Sequence, residues 1–195
     1  MEAAIGAGAD EILLPMVRLP EEVKAVLEQA GERCGVGILV ETLDALAMAP
    51  ALARFPLARV YVGLNDLSIE RGSNNLFEAV ADGTVARLRI VFDGVSFGFA
   101  GLTLPDKGYP IPCRLLIGEM ASLGCNFSFL RRSFHRDIRG RNPEIEIPRL
   151  LDAFYQAYLR PPEAVAREKC DLEAAIRAWP QPVSPPLSSA NGPAR

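Results

Sequence analysis

Several familiar signals are missing from this chain, and each absence narrows the field. It has no basic surplus: the formal net charge is −3, which argues against a nucleic-acid binder working through bulk electrostatics. No apolar run approaches the roughly 20 residues needed to span a bilayer, so no membrane partner is expected. The opening MEAAIGAGADE has neither a basic region nor a long apolar run and does not have the form of a secretion signal. Cys34, Cys113, Cys125 and Cys170 lie far apart with no C-x-x-C pair. They give no disulfide framework or zinc cluster and suit a reducing cytoplasm. Nothing resembles G-x-G-x-x-G after the first strand, which disfavours a dinucleotide fold. The single histidine, His135, follows the last strand and reads as a loop residue rather than a base.

What is present suits one sizeable globular domain: 195 residues, 49% apolar and 23% charged. Five apolar segments read as strands: Glu11–Val17, Val36–Val40, Val60–Gly63, Val95–Leu104 and Cys125–Leu130. Helical patterns follow them. Pro20–Ala30 has Pro in its first turn and acids behind it, both favourable at a helix start. Asn75–Phe92 is another candidate, interrupted by a possible turn at Asp82-Gly83, and Pro112–Leu123, Ile147–Leu159 and Pro162–Trp179 complete the set. Strand and helix in strict alternation imply a parallel α/β architecture. Residues 1–160 are expected to form the main domain and 161–179 a C-terminal helix. The Pro- and Ser-rich tail 180–195 is expected to be disordered.

The stretch Gly35–Ser68, GVGILVETLDALAMAPALARFPLARVYVGLNDLS, carries the chemistry. It reads as strand, helix, strand, with the first strand ending in Glu41 and the second in Asn65 and Asp66. A crossover helix between parallel strands brings their carboxyl ends to one sheet edge. Glu41 and Asp66 then lie side by side, where two carboxylates repel unless a proton or cation separates them. Hard oxygen ligands favour magnesium, manganese or calcium. Helix capping is the alternative role, since Asp is common at N-caps.

The segments GILVET and VYVGLNDLS resemble the metal-binding core of the HpcH/HpaI aldolase and citrate-lyase beta-subunit family. The likeness runs from about Gly8, through LLPMV at Leu13–Val17, to about Asp137. It implies a (β/α)8 barrel, here a partial one of about five βα units with extra C-terminal helices. It also implies Glu41 and Asp66 as ligands of Mg2+ or Mn2+, with the backbone at Gly63, Leu64 and Asn65 holding a substrate carboxylate. In the family the metal chelates a pyruvate-like group and stabilises the enolate formed when a carbon–carbon bond breaks. The substrate implied is a small-molecule oxo acid or an acyl-CoA, and the working form a homo-oligomer. Leu64 and Asn65 replace the Pro and small residue usual in the aldolase branch. The likeness places the first strand here at barrel strand four. Strands one to three, with the family's carbonyl-polarising arginine and base-positioning histidine, are therefore expected upstream of Met1, and no catalytic residue is assigned.

The run RRSFHRDIRGR holds Arg131, Arg132, Arg136, Arg139 and Arg141. Two roles fit it equally. Arg131 and Arg132 could capture an anionic group, a second carboxylate or a coenzyme A phosphate, or the run could be a solvated loop paired with Asp137, Glu144 and Glu146. Asp106 in LPDKGYPIP reads as a turn residue and Glu119 as a surface acid. The leading function is a divalent-metal carbon–carbon lyase of a 2-oxo or 3-hydroxy acid. The G-L-N-D-L-S segment also resembles the G-T-N-D-L of phosphoenolpyruvate-utilising phosphotransferases, which would require a phosphohistidine domain absent here. A catalytically incomplete fragment of the lyase fold is the third possibility.

Overall fold

Four short strands lie parallel, and their order in the sheet is their order in the chain. The computed structural model describes residues 1–179, so the tail 180–195 lies outside the described residues. After the short helix α1 (Glu2–Gly6) come β1 (Glu11–Leu14), β2 (Gly35–Val40), β3 (Arg59–Val62) and β4 (Ser96–Phe99), paired β1-β2-β3-β4. The register sets Leu14 beside Ile38, Val40 beside Val62, and Val62 beside Phe99. Each crossover is helical, as parallel pairing requires. Helix α2 (Pro20–Ala30) joins β1 to β2, and α3 (Leu43–Ala47) with α4 (Ala49–Leu52) joins β2 to β3. Three helices, α5 (Leu64–Glu70), α6 (Glu78–Ala81) and α7 (Thr84–Val91), join β3 to β4.

Period-two alternation sorts the strand residues onto two faces. Val36, Ile38, Val40, Val60, Val62, Phe97 and Phe99 are all buried and share the helix-covered face. The opposite, inner face carries Gly37, Leu39, Arg59, Tyr61 and Gly98, the set one residue out of step. Glycine is needed there twice. A Cβ on Gly37 would meet Leu13 and Arg59, and one on Gly98 would meet the Phe127 backbone.

The segment read as one strand, Val95–Leu104, is broken. Ala100 adopts φ +51, a left-handed conformation that disfavours an extended run. The chain turns there, and β5 (Gly101–Leu102) pairs in parallel with β6 (Phe129–Leu130) as a second, two-stranded sheet. Only the end of Cys125–Leu130 is therefore strand. At its start Asn126 serves β4 through its side chain, its Oδ1 accepting from Phe97 N–H at 3.1 Å. Helix α8 (Cys113–Ser122) lies between β5 and β6 in the chain and is buried along most of its length. After β6 come α9 (Phe134–Asp137), α10 (Pro143–Tyr158) and α11 (Pro162–Arg177), of which α10 and α11 pack on α8. Glu119 is consequently not a surface acid: it is buried in α8, with Lys169 Nζ at 3.7 Å. The expected helix Asn75–Phe92 is likewise divided, because Gly83 takes φ +77.

Thr42 ties the ends of β1 and β2 together. Its buried Oγ1 accepts from Ala45 N–H at 3.0 Å, capping α3, and donates to the Val17 carbonyl at 2.5 Å. Thr42→Ala removes both bonds and strands a buried carbonyl, at an expected cost of about 1–3 kcal/mol. Thr42→Ser retains both. Urea denaturation should show a lower midpoint for the first variant and a near-wild-type midpoint for the second.

Candidate functional site

Glu41 and Gly63 each stand one residue beyond the paired Val40 and Val62, so alternation sends both to the inner face at the carboxyl edge of the sheet. Gly63 is glycine for a spatial reason: a Cβ there would collide with the Glu41 carboxylate. Glu41 is 5% exposed, and its Oε1 accepts from Met16 N–H at 2.9 Å. Met16 itself has φ +52, a conformation of the kind that collects at functional sites. Burial pushes the Glu41 carboxyl above the ordinary carboxylate range, the Met16 N–H pulls the other way, and the nearby Asp66 charge adds to the rise.

Asp66 lies in the first turn of α5, whose N-cap is Gly63. Of the three backbone positions expected to hold a carboxylate, Gly63 has its N–H committed to the Val40 carbonyl at 3.1 Å. Leu64 and Asn65 occupy the first turn of α5, where N–H groups have no partner within the helix. Gly63 thus makes room for Glu41, while its two neighbours have the amides.

A cleft of about 630 Å³ gathers Glu41, Gly63, Leu64, Asn65, Asp66, Arg131 and Arg132. It also takes in Ser133, expected at the same strand edge, and two tyrosines that sequence reasoning passed over. Tyr61 lies two residues before Gly63 on the same inner face, its ring centroid 4.5 Å from that of Phe129; alternation within β3 was the signal that could have found it. Burial keeps the Tyr61 hydroxyl well above its usual range, a rise eased by Ser128 and reinforced by Glu41. Ser133 and Tyr109 also line the cleft, far from the metal motif in sequence. His135 is exposed on α9 and is not part of the lining. Arg18 is not part of the lining and is paired with Asp44 at 3.0 Å and Glu70 at 2.5 Å.

The donor set fits a hard divalent cation. Two carboxylates face one cleft, and the buried one carries a raised pKa partly because the other is near. A cation between them relieves that repulsion. Among the described residues no third His, Cys, Asp or Glu completes a protein-only cluster. Magnesium suits such a site, because it keeps several waters and binds through one or two carboxylates.

No family model matches the chain, and no curated protein sequence does. Solved structures do. RipC from Yersinia pestis superposes with a TM-score of 0.58 at 13% identity, over 84% of this chain and 71% of RipC. The citrate lyase beta subunit from M. tuberculosis, solved with oxaloacetate and magnesium, gives a TM-score of 0.53 at 19% identity, over 82% of this chain and 66% of that one. The chain thus spans about two thirds of the length of these neighbours. At such identities the likeness establishes the fold: an α/β protein built as part of a (β/α)8 barrel, of the type found in a lyase subunit.

Proposed function

We propose that the chain is a divalent-metal-dependent carbon–carbon lyase of aldolase type, acting on a 2-oxo or 3-hydroxy acid in its free form or as a coenzyme A thioester. The observation that carries this is the buried Glu41 carboxylate, lodged over Gly63 and facing the cleft it shares with Asp66. Such barrels place their chemistry at the carboxyl ends of the strands, and both acids are at that edge. The citrate lyase subunit that shares the fold was itself solved with magnesium and an oxo acid.

Glu41 and Asp66 would hold Mg2+ or Mn2+, which supplies Lewis acidity at a carbonyl oxygen when bound. Leu64 and Asn65 would orient the substrate carboxylate through their amides, a natural use of an exposed helix start. Tyr61 and Phe129 form an aromatic wall on the side toward β6. They limit water on that side of the cleft. The working form in this reading is a cytoplasmic homo-oligomer. The four free cysteines are compatible with that compartment.

Exchange of the pyruvate methyl protons for deuterium tests the reading. With magnesium or manganese in D2O, the methyl signal in the proton spectrum should fade at a protein-dependent rate. EDTA, Glu41→Gln and Asp66→Asn should each bring that rate to background. Exchange that persists with EDTA and in both variants would remove the basis for the lyase assignment.

A further inference from the structure

Beside the candidate cleft lies a second, drier depression. A groove of about 380 Å³ runs between β6 and α10 and shares Phe129 and Leu130 with the cleft. Among the described residues no charged side chain lines it. Its non-aromatic polar side chains are turned to their own neighbours. Asn126 Oδ1 accepts from Phe97 N–H and Ser96 Oγ, and Ser128 Oγ donates to the Ala100 carbonyl at 2.6 Å. The Tyr158 hydroxyl is likewise engaged, donating to the Cys125 carbonyl. A small-molecule site needs a few placed polar groups to orient its ligand, and the side chains of this groove leave only the Tyr155 hydroxyl for that.

The surface around the groove is apolar too. Ile147, Leu151, Tyr155 and Tyr158 recur at helical spacing and so share one stripe of α10. All four are exposed, Leu151 by 65% and Tyr155 by 60%. Beside them Phe129 and Leu130 are exposed on β6, which among the described residues pairs with β5 alone. An open strand edge next to a bare apolar stripe is a surface that soluble chains normally cover.

Area and symmetry both point to what covers it. These six residues present on the order of 650 Å², close to the roughly 800 Å² per partner of a standard stable interface. The stripe is also balanced about its middle. Reversed against a copy of itself, it sets Ile147 against Tyr158 and Leu151 against Tyr155. Each contact is aliphatic against aromatic, and no like charges meet along it. Such self-complementarity is what a two-fold interface requires, and tyrosine is favoured in interface cores. We propose that this face binds a second copy of the chain, α10 packing antiparallel on α10, and that the second copy closes the open side of the candidate cleft by covering Phe129 and Leu130. The proposal rests on the lyase reading only for the identity of the cleft and gives the homo-oligomer of that reading its surface. It uses none of the metal or substrate chemistry.

Light scattering coupled to gel filtration, over about 1–100 µM protein, tests the surface. The wild-type chain should reach twice the mass of one chain at the upper end. Leu151→Glu and Tyr155→Glu, both at exposed positions, should each raise the dimer dissociation constant about thirtyfold or more. Their urea midpoints should stay near wild type, and should either variant fail to fold, the other carries the test. Gln156→Glu, on the side of α10 away from the stripe, should leave association unchanged. Hydrogen exchange adds the location: the amides of β6 should exchange more slowly in concentrated wild type than in dilute, and Leu151→Glu should abolish that difference. A chain monomeric throughout the range would overturn the surface, give the groove to a different polypeptide added along β6, and leave the lyase reading to its own exchange test. A dimer that persists in both glutamate variants would place the contact elsewhere and overturn the proposal. A dimer without slowing at β6 would overturn the closing of the cleft.

Discussion

Glu41→Gln is expected to stabilise the metal-free protein at neutral pH and to erase the stabilisation that magnesium gives the wild type. The Glu41 pKa is raised in the folded protein, chiefly by burial and further by Asp66. A raised carboxyl binds its proton more tightly when folded than when unfolded, so folding is favoured at low pH. That contribution is lost as pH rises from the ordinary glutamate value of about 4.3 through the higher folded value, and above it the ionised side chain is a fixed penalty. Glutamine has the same shape, keeps an oxygen for Met16 N–H and carries no charge. The variant should therefore melt higher than wild type at pH 7 in EDTA and lose the pH dependence in that window. Magnesium reverses the order. At a hundred times its dissociation constant a ligand adds about 2.7 kcal/mol, about 5–10 °C for a chain of this size, and the variant should gain almost none of it. Thermal melts from pH 4 to 8, with magnesium and with EDTA, would show the crossing. Equal magnesium shifts in the two proteins would remove Glu41 from the metal site.

The same residue shows why so much of this site was legible beforehand. Glu41 and Asp66 could be placed at one edge because parallel strands and period-two alternation are local, additive rules. The structure follows those rules from Gly35 to Asp66. Where the pattern is interrupted by a single backbone angle, local rules fail. Nothing in VSFGFAGLTL announces that Ala100 will turn, yet that turn directs β5 to β6 and so brings Arg131 beside Gly101. The arginines illustrate a second limit. Which of them remains unmatched depends on Asp106, 35 residues away from its partner Arg141. The burial of Glu119 depends likewise on α11, which arrives late in the chain. Pairings across such distances in sequence are tertiary facts. The fold itself is shared with proteins at 13% and 19% identity, so it does not depend on most of the individual side chains.

Phe97→Ala is expected to cost about 3–5 kcal/mol, a large part of the roughly 5–15 kcal/mol that holds a domain folded. Phe97 is fully buried on the helix-covered face of β4, paired in register with Val60, with the Arg89 guanidinium carbon 5.9 Å from its ring centroid. Its backbone N–H is the one that Asn126 caps, so the strand cannot readily shift to close the cavity. Gly101, which leaves the space for the Arg131 Cβ, follows two residues after the end of this strand. Phe129→Ala makes the contrasting case: that ring is 40% exposed on the cleft side, and its loss should cost less stability while opening the aromatic wall against Tyr61. Urea denaturation should separate the two, with the larger fall for Phe97→Ala and a melting temperature lower by about 6–20 °C. A loss below about 1 kcal/mol at Phe97 would mean that β4 is not the rigid support on which the Arg131 side of the cleft is built.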